Sequence, residues 1–190
     1  MTRLGVGVDF GTSNSAAAIF DGESVRLVQL EAHDSIVPSA TYIDRTLTAK
    51  TGQLAVEQYI ADNTGRTVEL IPEVVGETSQ FVEDGGGDEI SEVQTATQKI
   101  YGAPVTDSSL QGRLFRGTKR LLGDEEVRRL MVFDHPFRLV ALITPLLLRI
   151  RKSIEADIGS FANAHLGHPL NFEGRDKFSN HLAMSRLGEA

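Results

Sequence analysis

The chain has 190 residues, 41% of them hydrophobic, which suits one domain, or one lobe of a larger one, with a real core and excludes disorder throughout. It contains no cysteine, which excludes a disulfide framework and a thiolate metal site and fits a reducing compartment. The formal net charge is −7, and residues 63–110 carry all of it, with two basic and nine acidic side chains; the balanced remainder gives no support to a general nucleic-acid or anionic-membrane surface.

Residues 4–10 predict a strand and 15–20 a second. Asp21-Gly22 is a hairpin-turn pair, and Val25, Leu27, Val28 and Leu30 predict a third strand. Short turns between consecutive strands imply an antiparallel meander. "SIVPSATYID" reads as a loop leading into a fourth strand, with Pro38 ahead of it. Residues 53–62 predict a short helix carrying Leu54, Ala55, Tyr59 and Ile60. Residues 63–110 mix short apolar runs with acids and glycines, broken by Gly85-Gly86-Gly87, and are expected to form an inserted excursion, partly ordered at best.

"LQGRLFRGTKRLLGDEEVRRL" is basic and helix-like. "LMVFDHPFRLVAL" suggests a hairpin around His135-Pro136. Leu142, Ile143, Leu146, Leu147, Ile150, Ile154 and Ile158 fall at helical spacing and predict the longest helix. Pro145 lies in its first turns, where it is tolerated or introduces a kink, and Gly159 is its natural stop. "SFANAHLGHPLNF" predicts a strand ending at Pro169. Residues from 176 onward predict a final helix with Phe178, Leu182 and Leu187 on one face. No internal repeat and no transmembrane or coiled-coil stretch is present. Asp9 interrupts the N-terminal apolar run too early for a signal peptide, so the expected location is cytoplasmic.

The chemistry concentrates in "RLGVGVDFGTSNSAAAIFDG", where a polar knot separates two apolar strands. A Walker loop needs Gly-Lys-Ser/Thr followed by a helix, and neither is here. A dinucleotide fingerprint needs a third glycine opening a helix, whereas Phe10 stands at that position and a strand follows. A strand–turn–strand phosphate loop remains. Gly11 lets the backbone approach a ligand closely. Successive N–H groups of Thr12, Ser13 and Asn14 can hold an anion, with the hydroxyls of Thr12 and Ser13 adding donors. Asp9 beside a phosphate calls for an intervening cation, and magnesium, which keeps several waters, is the one expected. The plainer reading is that Asp9 and Thr12 only cap a turn.

"VGVDFGTSNSAAAIFDG" resembles the first phosphate loop of the actin-like ATPase superfamily, above all that of the seventy-kilodalton heat-shock chaperones of the DnaK type. "VPSATYID" is similar to the family's Pro-Ser strand, "GQLAVEQYIAD" to the short helix after it, and "RGTKRLLGD" to its lysine segment. "ITPLLLRIRKSIEADIG" resembles the long helix that precedes a strand matching "AHLGHPLNF". These landmarks come in the family's order and cover most of the chain outside 63–110. The resemblance is nearest to the divergent YegD-like branch.

The resemblance implies an α/β lobe of the ribonuclease H-like, actin-like ATPase fold: a mixed sheet with an antiparallel meander, flanked by helices. It implies ATP or ADP and Mg2+ as ligands. Asp9 would hold the magnesium through water, Gly11, Thr12, Ser13 and Asn14 would line the phosphates, and Lys119 would be the catalytic lysine. Arg113, Arg116 and Arg120 would raise the local positive potential. Taken alone, Lys119 reads as a solvated helix lysine.

The chain departs from the family in the long acidic insertion and in the short stretch between Lys119 and Pro169. The family's second phosphate loop, its adenosine pocket and its peptide-binding domain would all follow Ala190. The expectation is therefore a first lobe, residues 1–190, that hydrolyses ATP only with a second lobe present. The expected partners are nucleotide, a complementing lobe or a second copy, and chaperone clients or co-chaperones. A non-catalytic interaction module and a sugar kinase of the same superfamily are the alternatives. His165 and His168 point to opposite faces of a strand and make a poor metal pair. "EDGGGDE" lacks the spacing of a calcium loop and reads as solvated.

Overall fold

A computed structural model of the chain describes residues 4–82, 94–168 and 179–190, with side chains outside 72–106. In chain order its elements are β1 (Gly5–Phe10), β2 (Asn14–Phe20), β3 (Val25–Leu27), β4 (Ile36–Pro38), β5 (Ala40–Asp44), β6 (Ala49–Thr51), α1 (Gln53–Asn63), β7 (Leu70–Val82) and β8 (Gln94–Asp107). They continue with β9 (Gly112–Arg116), a 3-10 turn (Thr118–Gly123), β10 (Arg129–Val132), β11 (His135–Arg138), α2 (Leu139–Ile158), β12 (His165–Gly167) and α3 (Ser179–Glu189). This is a mixed α/β architecture with several small sheets and few helices. It divides into two compact units, one of Met1–Thr64 with Gln111–Ala190 and one of Gly65–Leu110.

In the first unit β1, β2 and β3 form the antiparallel meander. β12 pairs parallel with β1, which makes the sheet mixed. The period of two decides what is buried. Val6 and Phe10 of β1 and Ser15, Ala17 and Ile19 of β2 turn inward, while Gly7 and Asp9 take the other face. Ile143, Leu146, Ile150 and Ile154 of α2 pack into the same apolar cluster, as the helical spacing predicts. Pro145 falls in the second turn and the helix runs through it. The carbonyl it leaves without a partner belongs to Ala141, an exposed residue that water can serve. Gly159 ends the helix with φ 81, donating its N–H to the Glu155 carbonyl at 2.9 Å.

Several boundaries differ from the sequence reading. β3 stops at Leu27, although Val28 and Leu30 are buried in the chain that follows. "SIVPSATYID" makes two strands divided at Ser39, with Pro38 inside the first. β4 pairs with β2, and β5 leaves for a second sheet between β6 and β9. Residues 112–116, expected to be helical, form β9 instead. They pair with β5 from Ala40↔Arg116 to Asp44↔Gly112, a tertiary pairing that overrides weak local preference. Helical geometry begins only at Thr118, as a 3-10 turn, after Gly117 adopts the left-handed region at φ 68. The hairpin turns at Phe133-Asp134, not at His135-Pro136. Phe133 has φ 55, His135 pairs with Val132, and Pro136 lies in the two-stranded ribbon where a missing N–H is tolerated.

The short helix forms as expected, but of its apolar residues only Ala55 is buried. In α3, Ala183 and Leu187 are buried and Leu182 is half-buried. Pro169, Phe178, Gly85-Gly86-Gly87 and the "EDGGGDE" stretch lie outside the described residues.

The second unit holds most of the acidic segment and is described as two strands, β7 and β8, with residues 83–93 between them outside the described residues. β7 and β8 pair antiparallel along their length, with register shifts near Ile71, Pro72, Val74 and Gly76. Val74-Val75, Phe81-Val82 and Ile100-Tyr101 supply the β-branched and aromatic runs that favour strands. At its base Arg66 pairs with Asp107, and the Ser109 hydroxyl donates to the Thr67 carbonyl at 2.8 Å. Among the described residues no helix is long and apolar enough to cross a membrane.

Candidate functional site

The polar knot occupies the tight turn between β1 and β2, at the end of β1 where Asp9 pairs in register with Gly167 of β12. Gly11 is required there. A Cβ built on it would overlap the carbonyl oxygen of Asn14, so the turn closes only without a side chain. Gly11 and Thr12 are half-buried, and Ser13 and Asn14 are exposed.

Ser39, at the break between β4 and β5, fixes the turn from beneath. Its N–H donates to the Ser13 carbonyl at 2.9 Å and its hydroxyl to the Gly11 carbonyl at 2.8 Å. Because the Ser39 proton is committed to Gly11, the 2.8 Å contact with buried Ser15 has Ser15 as the donor. Two carbonyl lone pairs of the turn are thereby drawn toward the protein, which lowers their repulsion of an approaching anion. Ser39 stands in the Pro-Ser pair of "VPSATYID", and nothing local in that stretch marks it as part of the site. The residue type was visible; its reach to Gly11 and Ser13 is tertiary.

Lys119 arrives from the other side. It lies in the 3-10 turn Thr118–Gly123 and is 8% exposed. Its Nζ donates to the Phe10 carbonyl and sits 5.5 Å from the centroid of the Phe10 ring. The solvated reading of this lysine is therefore wrong. Burial pulls its pKa below the ordinary lysine value, and the charge of Asp9 opposes that pull. Gly117 brings the segment alongside the turn: a Cβ on it would lie 3.8 Å from the Thr12 methyl carbon. The structure thus gathers Asp9, Gly11, Thr12, Ser13, Asn14 and Lys119 at one end of β1.

Arg113 has a different task. Its guanidinium donates to the Met131 carbonyl at 2.9 Å and faces the Phe133 ring at 5.7 Å. Arg45 faces the same ring at 4.8 Å. Arg116 and Arg120 are exposed. His165 lies in β12 and His168 just beyond it, both exposed.

A cation at this site would be met by one exposed carboxylate, that of Asp9. Among the described residues no three His, Cys, Asp or Glu side chains gather into a metal cage. One hard oxygen ligand is as much as magnesium, which retains waters and takes few protein ligands, would ask of the chain. No protein-family model matches the chain, and no curated protein matches it.

Proposed function

We propose that this chain is the ATP-binding lobe of a chaperone-like ATPase of the actin-like superfamily, hydrolysing ATP to ADP and phosphate when a second lobe completes the cleft. The observation that carries the reading is the seating of Lys119 against the β1–β2 turn, 109 positions away in sequence, with its ammonium on the Phe10 carbonyl. A desolvated cation beside a turn that tolerates no side chain at Gly11 is the pairing that phosphoryl transfer needs.

In this reading the backbone N–H groups and hydroxyls from Thr12 to Asn14 bind the phosphates, and Ser39 holds the turn in its binding shape. The charge of Asp9 favours the protonated form of Lys119 against the effect of burial, and its carboxylate would take the water shell of the metal. Magnesium, when bound, neutralises phosphate charge and orients the leaving oxygens. Lys119 exchanges its contact with Phe10 for the terminal phosphate, stabilises the charge that builds there and helps place the attacking water.

Calorimetric titration of the chain with ATP, with and without magnesium, tests binding. Magnesium-dependent binding is expected; its absence at millimolar nucleotide would leave the turn a structural one. In a protein with both lobes, Lys119→Ala is expected to lower turnover about 100-fold or more with nucleotide affinity little changed. Unchanged turnover would remove the lysine from the chemistry.

One observation favours a second reading, a non-catalytic interaction module. Phe20, Val25 and Leu27 are 43%, 69% and 57% exposed on β2 and β3. Light scattering that finds a monomer at all concentrations would count against it.

A further inference from the structure

We propose that Arg186 is the positioning residue for Lys119, gripping the carbonyl end of the 3-10 turn so that the ammonium stays at the β1–β2 turn; its functional consequence rests on the nucleotide reading above. Arg186 projects from α3, and its Nη1 donates to three carbonyl oxygens, those of Leu121 at 3.2 Å, Leu122 at 2.9 Å and Asp124 at 2.9 Å. These carbonyls lie at the end of the turn, where a short helix runs out of N–H donors; that of Leu121 also accepts the Asp124 N–H at 3.2 Å. Leu122 is buried, so losing the donor would strand its carbonyl oxygen away from water.

The grip has an apolar side as well. Leu187, next to Arg186, shares one buried cluster with Leu122 and with Phe10, the residue whose carbonyl receives Lys119. A 3-10 helix has about three residues per turn, so Lys119 stands about one turn from the carbonyls Arg186 holds. Displacing that end therefore displaces the lysine. Burial is the main influence that lowers the Arg186 pKa; Asp124 and Glu125 oppose it, and Arg128 and Arg138 add to it by repulsion. The carbonyls hold the group in place despite these neighbouring arginines.

The test uses the full chain without nucleotide. Lysine side-chain NMR follows the titration of the Lys119 amine, identified by its disappearance in Lys119→Arg, and an amine-directed acylating reagent reports its accessibility. In Arg186→Gln the Lys119 titration is expected to move upward toward the ordinary lysine value. Its labelling is expected to accelerate about tenfold, the scale of one lost charged hydrogen bond. Arg138→Gln removes the exposed ion pair to Glu189 of the same helix and is expected to change neither signal. A folded Arg186→Gln with both Lys119 signals unchanged would overturn the proposal, even if its melting temperature drops. If that variant fails to fold, Arg186→Lys carries the test: it keeps the charge and the stem but lacks the planar fork, so the same changes are expected at smaller size and their absence overturns it. Titration with Mg-ATP separates the two ideas. Altered Lys119 signals without nucleotide binding in the wild type would keep the positioning role and remove the nucleotide reading. Binding in the wild type with unaltered signals in Arg186→Gln would do the reverse.

Discussion

Gly11 shows how little room the β1–β2 turn leaves. An alanine there would place its methyl against the Asn14 carbonyl oxygen, and that oxygen is backbone that cannot swing aside. Gly11→Ala is therefore expected to cost roughly 1–3 kcal/mol and to weaken Mg-ATP binding, measured by chemical denaturation and calorimetry. Tyr42 makes a second argument at this scale. It is 1% exposed, and its hydroxyl donates to the Asp62 carboxylate, which also accepts from Gln58 at 2.7 Å. Burial is the main cause that raises the Tyr42 pKa, and Asp62 adds to it. The unfolded chain ionises first, so it binds fewer protons than the folded one once the pH passes the ordinary tyrosine value of 10.0. Stability is fully present below that value and is lost as the pH rises above it. Tyr42→Phe is expected to cost about 1–2 kcal/mol at neutral pH and to flatten this alkaline loss. An alkaline loss unchanged in the variant would show that other groups cause it.

Among the elements, α2 does more than cover the sheet. Its Arg149 donates to the Thr51 carbonyl at 2.7 Å, the Leu30 carbonyl at 2.9 Å and the Glu31 carboxylate at 2.6 Å. Glu31 in turn accepts the Gln53 N–H at the start of α1 at 2.8 Å. Gly52 sits inside this knot with φ 68, where a Cβ would strike Glu31, Arg149 and Val37. One arginine thus joins the long helix to the end of β6, the loop after β3 and the head of α1. Arg149→Ala leaves half-buried carbonyls and a carboxylate without their donor, and a loss of about 2–4 kcal/mol is expected in urea unfolding. By contrast, the exposed Arg26–Asp157 pair between β3 and α2 is expected to contribute little, because water and salt screen it.

For the whole molecule, the division into units gives a direct experiment. Among the described side chains, every buried residue in the apolar clusters belongs to the unit of Met1–Thr64 with Gln111–Ala190. The Gly65–Leu110 ribbon carries the entire net charge of −7. Replacing 65–110 by a short Gly/Ser linker is expected to keep the cooperative melt within about 5 °C of the full chain, by calorimetry. The shortened chain has no formal net charge, so it is also expected to associate near neutral pH where the full chain does not. A melt that becomes broad, or vanishes, would show that the ribbon is part of the first unit's stability.

Much of this was legible in the sequence. Period-two alternation gave β1 and β2, period 3.6 gave α2, Gly159 gave its end, and the charge count set off the segment that becomes the second unit. These follow from local rules, because the residues that decide each element lie within it. The positions of Asp9 and of the turn from Gly11 to Asn14 were readable for the same reason. Other features depend on partners distant in sequence. β9 is a strand because β5 lies beside it. Ser39 matters because its two hydrogen bonds end on Gly11 and Ser13. Lys119 reads as a surface lysine until the fold buries it on Phe10, and Arg186 reads as one more charge on a terminal helix until it meets three carbonyls. Composition and periodicity determine which faces are buried. Only the packed chain determines which polar groups must then find one another, since each desolvated donor or acceptor has to be matched wherever its partner lies in the sequence.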